Sequence, residues 1–155
     1  MKKQYQPEES AFDLTSLLGY RLLRLSTSIG NLAGREATEV AGLTLPEYRV
    51  LVVLHSRGPS GVVALQQAML IDKAWISRTL ASLVKKLLVA SRAEATDARR
   101  TLYSVTPTGQ RAAQALIEQS LARQKRLMRG VTAEESRLFL RLLKKVQANV
   151  DSEQT

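Results

Sequence analysis

Between Lys73 and Arg111 the chain carries eight Lys or Arg residues (73, 78, 85, 86, 92, 99, 100 and 111) against two acids, Glu94 and Asp97. That window holds +6 of the formal net charge of +9. Clustered ammonium and guanidinium groups bind polyanions: each neutralises a phosphate, and a guanidinium presents paired donors to paired acceptors. Within the window, Lys73, Trp75, Ser77 and Arg78 fall close together, and Arg92, Asp97, Arg99 and Arg100 follow. A basic surface serving only solubility would be spread more evenly.

Other chemistries find few residues to work with. The chain has no cysteine and one histidine, His55. Thiolate nucleophiles, disulfides, Cys-based zinc sites and histidine relays therefore have no residues to build them. No glycine-rich phosphate loop appears, and nothing in the sequence pairs carboxylates in a cleft. The expectation is a protein that is not an enzyme and needs no metal or cofactor.

The basic residues must be positioned by regular elements. From Phe12 onward Leu14, Leu18, Leu22, Leu25, Ile29 and Leu32 recur at spacings of three and four, which predicts a long first helix over about 14–40. Gly30 and Gly34 weaken it and give it a place to bend. Thr44-Leu45-Pro46-Glu47 reads as a capping box opening a second helix to about His55. Ser56–Gly61 is a turn cluster, with Val62 and Val63 a candidate short strand pairing with a later hairpin. A third helix over about 64–69 follows, then the turn Leu70-Ile71-Asp72, with Asp72 as N-cap of a fourth helix over 73–86. On that helix Ile76, Leu80, Leu83 and Leu87 share one face, Arg78, Ala81 and Lys85 lie opposite, and Trp75 and Ser77 flank them. Two β-prone runs, 88–93 and 101–105, predict a hairpin tipped with arginine. Thr106–Gly109 opens a fifth helix ending near Gly130, and Thr132–Glu135 a second capping box opening a sixth.

A short helix, a turn, a helix with a basic outer face and a basic hairpin together form a winged helix-turn-helix, which reads duplex DNA. In that frame Arg78 reaches a base edge or a phosphate, and Lys73 and Ser77 sit near the helix start, where phosphate is favoured. Arg99 and Arg100 reach the adjacent minor groove, Asp97 orients Arg99, and Arg92 is a weaker phosphate contact. Trp75 has two readings, a groove contact or packing within the protein. The bland alternative throughout is a solvated basic surface.

The first, fifth and sixth helices carry more apolar surface than a small winged domain can bury. A second copy about a two-fold axis is the economical cover, with a monomer wrapped by its own helices as the alternative. The fold class expected is therefore mainly α, a winged helix-turn-helix with a two-stranded wing and long terminal helices forming a dimerisation lobe. No apolar run approaches the ~18 residues that cross a bilayer, and the N-terminal ten residues lack a signal-peptide core, so a cytoplasmic protein without membrane contact is expected. A nonspecific, architectural DNA-binding protein would share these features.

These residues resemble the MarR family of bacterial transcription regulators over about 14–150. The family pattern of Asp-x-Arg, five residues, Leu-Thr, two residues and Gly has its counterpart in Asp97-Ala98-Arg99 and Val105-Thr106-Pro107-Thr108-Gly109, with Val105 in place of leucine. Residues 70–78 resemble its turn and recognition helix, and 43–51 the start of its second helix. The resemblance implies a single domain over 1–155, with dimerisation helices at 1–40 and 110–155 and a DNA-reading lobe at 44–106. It also implies a homodimer on pseudo-palindromic double-stranded operator DNA, usually a repressor, released by a small aromatic or phenolic anion. A pocket of that kind would draw on Tyr20, Arg21, Arg24, Tyr48 and His55; the weightier alternative makes these core or rim residues. One departure is Leu87, where the family usually has a glycine closing the recognition helix in a left-handed conformation. Leucine either adopts that conformation at about 1 kcal/mol or the chain avoids it.

Overall fold

The computed structural model describes residues 13–94 and 100–153. The chain divides into two compact units, the first ending at Leu116 and the second beginning at Ile117. A 3-10 turn at Leu14–Ser16 precedes α1 (Leu18–Ala41), α2 (Leu45–Arg57), α3 (Val62–Met69), α4 (Lys73–Lys85), β1 (Val89–Ala93), β2 (Thr101–Val105), α5 (Pro107–Leu127) and α6 (Ala133–Glu153). Six helices with a two-stranded antiparallel wing are what the residue periodicities predict.

The first unit is built around Leu43, Val50, Leu51, Leu54, Leu65, Ile76, Leu80, Leu83, Ala113 and Leu116, all buried. α1 contributes to it through its C-terminal half, where Ala33 and Ala37 are buried. Gly30 and Gly34 face α2, where an added Cβ would lie 3.5 Å from Leu45 Cδ2 and 3.4 Å from Leu45 Cβ, at the edge of ordinary contact. The expected single helix from Leu14 is interrupted because the Asp13 carboxylate accepts the Thr15 amide at 2.9 Å and holds a 3-10 turn, with Leu17 extended after it. The apolar stripe of α1 is not a core face: Leu14, Leu18 and Leu25 are each about half exposed.

Val62 and Val63 do not form a strand; they open α3. The pairing with the hairpin comes one turn earlier, where Ser60 and Tyr103 exchange both backbone hydrogen bonds at 3.0 Å. The wing itself pairs Val89 with Val105 through Ala93 with Thr101.

The junction of α4, wing and α5 is the tightest part of the unit. Leu87 does adopt the left-handed conformation, at φ 58°, and its side chain is 75% exposed. It is therefore outside the buried face of α4 with which its spacing groups it. The Thr106 hydroxyl donates to the Leu87 carbonyl at 2.8 Å and accepts the Gly109 amide at 3.0 Å, capping α5. Gly109 packs directly on the Leu88 carbonyl, and any Cβ there would collide with that oxygen and lie 2.8 Å from Val105 Cγ1.

The second unit comprises the rest of α5 and α6. Thr132 and Glu135 form the expected capping box, with the Glu135 carboxylate accepting the Thr132 amide at 2.8 Å and the Thr132 hydroxyl accepting the Glu135 amide at 3.2 Å. Along α6, Leu138, Phe139, Leu142 and Val150 are all more than 40% exposed.

Two substitutions test the junction. Leu87→Gly removes left-handed strain without losing packing and is expected to stabilise the fold by about 0.5–1 kcal/mol in urea unfolding. Gly109→Ala is expected to cost more than about 2 kcal/mol, because backbone must move to admit the methyl. Equal stabilities for these variants and the parent would overturn this account of the junction.

Candidate nucleic-acid interface

α4 begins because the Asp72 carboxylate accepts the Trp75 amide at 3.0 Å, which satisfies one donor of the helix start. Its buried face is Ile76, Thr79, Leu80 and Leu83. Ile76, Leu80 and Leu83 are wholly shielded from solvent, while Lys73, Arg78, Ala81 and Lys85 are exposed. The outer face is thus two long cations flanking a small residue, a profile that fits against a groove. Ser77 is half-buried, and its hydroxyl donates to the Lys73 carbonyl at 3.0 Å, so its oxygen can only accept from outside. Trp75 is half-buried and packed against the core, which favours the packing reading for most of its ring.

On the hairpin, Arg92 is exposed on β1 opposite Leu102, and Arg100 is exposed just before β2. Asp97 and Arg99 lie outside the described residues. Lys73 and Arg100 share one open cleft of about 630 Å³, together with Ser60, Gln67, Glu94 and Tyr103. The start of α4 and the base of the wing therefore present cations to a common space.

Lys86 turns toward α2 and the end of α1. Its ammonium contacts Glu47 Oε2 at 2.8 Å and the Gly42 carbonyl at 3.0 Å. Glu47 is buried, and its carboxylate also accepts from the Ser82 hydroxyl at 2.6 Å, the Thr44 amide at 2.8 Å and the Thr44 hydroxyl at 3.0 Å. Burial pushes this carboxyl up, but the Lys86 ammonium, Ser82 hydroxyl and Thr44 donors outweigh it and hold the group at about 2. The capping half of this cluster is visible in Thr44-x-x-Glu47. The half that reaches Ser82 and Lys86, 35 and 39 residues on, is not.

Of the five residues considered for a small-molecule pocket, one lines the cavity beside α2. Tyr48 lines an open, mainly apolar cavity of about 320 Å³ with Arg49, Val52, Val53, Met69 and Ile71. His55, Tyr20, Arg21 and Arg24 do not line it. His55 is two turns along α2 from Tyr48, about 10 Å along the axis. α2 meets α1 near Gly30 and Gly34, far from the first turns that carry the other three. There Arg21 donates to the Thr15 carbonyl at 2.7 Å, and the Arg24 guanidinium stands 5.9 Å from the Tyr20 ring centroid. Arg49, which the sequence reading missed, is the cation beside Tyr48.

Among the described residues no group of three or more potential ligands could hold a metal ion, and no helix is long and apolar enough to cross a membrane.

A sequence profile described as the MarR family matches residues 41–100. Transcriptional regulator HosA of Escherichia coli is 29% identical over 108 residues, which span 70% of this chain and 80% of that protein. A structure of Bordetella bronchiseptica BpsR, described by the regulation of its DNA binding by 6-hydroxynicotinic acid, matches with a TM-score of 0.77 at 21% identity, covering 89% of this chain and 98% of that one. The S. aureus MepR–DNA complex matches with a TM-score of 0.79 at 19% identity, covering 86% and 98%. At these identities the structural likeness speaks for the fold.

The Glu47 cluster carries a pH signature. A carboxyl held at about 2 in the fold and near 4.5 when free adds stability that is full above pH 4.5 and lost as pH falls toward 2. The amount is roughly 3 kcal/mol. Glu47→Gln is therefore expected to be less stable than the parent at pH 7, with the two converging by about pH 2. Urea unfolding across that range measures this, and a constant gap between the two would contradict it.

Proposed function

We propose that this chain, which belongs to the MarR family of winged helix-turn-helix transcription regulators, acts as a homodimeric repressor on two-fold symmetric operator DNA and lets go when a small aromatic anion binds. It is a regulator rather than an enzyme. The observation that carries the DNA reading is the outer face of α4. Arg78, Ala81 and Lys85 stand in water on the side opposite a wholly buried apolar face, and Lys73 shares a cleft with the wing residue Arg100. In this reading α4 enters the major groove. Arg78 addresses a base edge, Lys73 and Ser77 address phosphates, and Arg92, Asp97, Arg99 and Arg100 serve the flanking strand and minor groove. Trp75 supports the helix from below and offers the edge of its ring. The MepR–DNA structure supports duplex DNA as the partner of this fold.

Residues 44–106 form the reading lobe, and 1–40 and 110–155 supply the dimer contacts. The support is the apolar surface left open: Leu14 in the 3-10 turn with Leu18 and Leu25 on α1, and the α6 stripe at Leu138, Phe139, Leu142 and Val150. Exposed apolar surface of this extent marks a protein contact. A two-fold dimer sets two copies of α4 about one helical turn of DNA apart, ~34 Å. The working compartment is the cytoplasm, where operator DNA lies.

The effector site we favour is the cavity at Tyr48, with Arg49 for the carboxylate, the Tyr48 hydroxyl for a polar substituent, and Val52, Val53 and Met69 for the ring. BpsR, whose DNA binding is described as regulated by 6-hydroxynicotinic acid, supports an aromatic acid as the ligand class. Ile71, in the turn before α4, lines the same cavity, so a ligand there favours one setting of α4 over another. Such a difference in affinity between two states is what release requires.

Three measurements test this reading. DNA selected from a random pool by the purified protein is expected to show a two-fold symmetric consensus. Specific affinity should exceed nonspecific by at least ~10³ at fixed salt, and a ratio near one would instead mark an architectural protein. Arg78→Ala is expected to cost about 1–3 kcal/mol of operator binding and to relax preference at one base pair. Titration of hydroxylated aromatic acids into the complex is expected to release the parent but not Arg49→Ala; no response to any such acid would remove the effector.

A further inference from the structure

The Glu47 carboxylate does more than cap α2. A capping box needs only one oxygen returned to the N-cap amide. Here Oε2 serves Thr44 and also receives the Lys86 ammonium, while Oε1 is committed to Ser82. Both of these further partners belong to the end of α4: Ser82 lies in its last turn and Lys86 is its C-cap. Lys86 also reaches the carbonyl of Gly42, the C-cap of α1. One buried acid thus fastens the α4 terminus to the start of α2, and the Lys86 it holds reaches on to the end of α1.

The apolar contacts of Ile76, Leu80 and Leu83 hold α4 against the core, but apolar attraction has no direction and tolerates small rotations. Hydrogen bonds to a fixed carboxylate do not. We infer that Glu47 is a positioning residue for DNA reading, setting the angle at which α4 presents Arg78 and Lys73 to the groove. The inference rests on the DNA-reading role proposed for α4.

The lever arm makes the consequence asymmetric. A swing of about 10° about the Lys86 end displaces Arg78 by about 2 Å and Lys73 by about 3 Å on a helix rising 1.5 Å per residue. Base-edge hydrogen bonds fail at such displacements, whereas flexible cations still find phosphates, whose attraction falls slowly with distance. Loss of the anchor should therefore weaken specific binding and leave nonspecific binding nearly intact. A merely structural role would lower both together, through the fraction of folded protein.

The test compares Glu47→Gln and Ser82→Ala with the parent, at a temperature where each is folded by circular dichroism. Ser82→Ala breaks only the Oε1 link and leaves the cap and the ion pair, so it serves should Glu47→Gln not fold. Affinity is measured for the selected operator and for random duplex at equal salt. The expected result is an operator affinity lowered about tenfold or more, with random-duplex affinity unchanged within about twofold. Equal loss on both, or no loss on the operator, overturns the inference. Trp75 is the chain's single tryptophan and sits on α4. Its emission reports the seating of the helix without DNA and is expected to shift to the red in either variant. If the parent itself shows no operator preference, the regulator reading fails; Trp75 emission then decides the positioning role alone, and unchanged emission in both variants rejects it.

Discussion

The surface proposed to read DNA depends on α4 having two chemically opposite sides. Ile76, Leu80 and Leu83 are removed from water entirely, packed with Val50, Leu51, Leu54 and Leu65. Each such side chain contributes about 1.5–3 kcal/mol through burial. That burial keeps the helix in place while Arg78 and Lys85 face solvent with only the methyl of Ala81 between them. A charge on the inner face would be costly to bury without a partner. A large apolar side chain in place of Ala81 would offer nothing to a polyanion. The alternation of residue types over thirteen positions is therefore the physical basis of both fold and interface.

Both ends of this helix are bounded by leucines in the left-handed region, Leu70 at φ 53° and Leu87 at φ 58°. Each also exposes most of its side chain, 84% and 75%. Neither burial nor backbone preference explains leucine at these places. The surrounding structure fixes the conformation instead. At the Leu87 end, the Thr106 hydroxyl takes the Leu87 carbonyl, the Leu88 carbonyl accepts the Thr106 amide at 3.0 Å, and Gly109 leaves no room for displacement. The strain is local and the clamp is polar. The wing therefore leaves α4 at a set angle even without the glycine that would relieve the backbone.

Much of this was legible in the residues. Helix starts were readable because caps are local: Thr44 with Glu47, Asp72 before Lys73, and Thr132 with Glu135 all act within four residues. The two faces of α4 were readable from spacing alone. Three features were not. Val62 and Val63 have strand-forming side chains, yet the geometry of the preceding turn hands the β-bridge to Ser60 and leaves them to start α3. Leu14 to Leu18 fits a helical period, but the Asp13 side chain competes for the backbone and breaks it. The third is the Glu47 cluster, whose donors come from the start of α2 and the end of α4. No local pattern announces a contact between residues 35 or more apart. Helical spacing likewise places Tyr48 and His55 on one face but does not say which stretch of that face has a hollow beside it.

The first turn of α2 then takes on an unexpected position. Glu47 points from it to the C-terminal end of α4, while Tyr48 and Arg49 line an open cavity that Ile71, just before the N-terminal end, also lines. Three consecutive residues thus lie toward both limits of α4. A ligand against Tyr48 and Arg49 would press on one limit while Glu47 holds the other. A helix held at one end and pushed at the other rotates rather than translates. Such a rotation is felt most by base-edge hydrogen bonds, which tolerate little displacement, and least by phosphate contacts, whose attraction falls slowly with distance. Under the proposed function, an effector would not have to unfold or separate anything to silence operator recognition; turning α4 about the proposed Glu47 anchor would suffice.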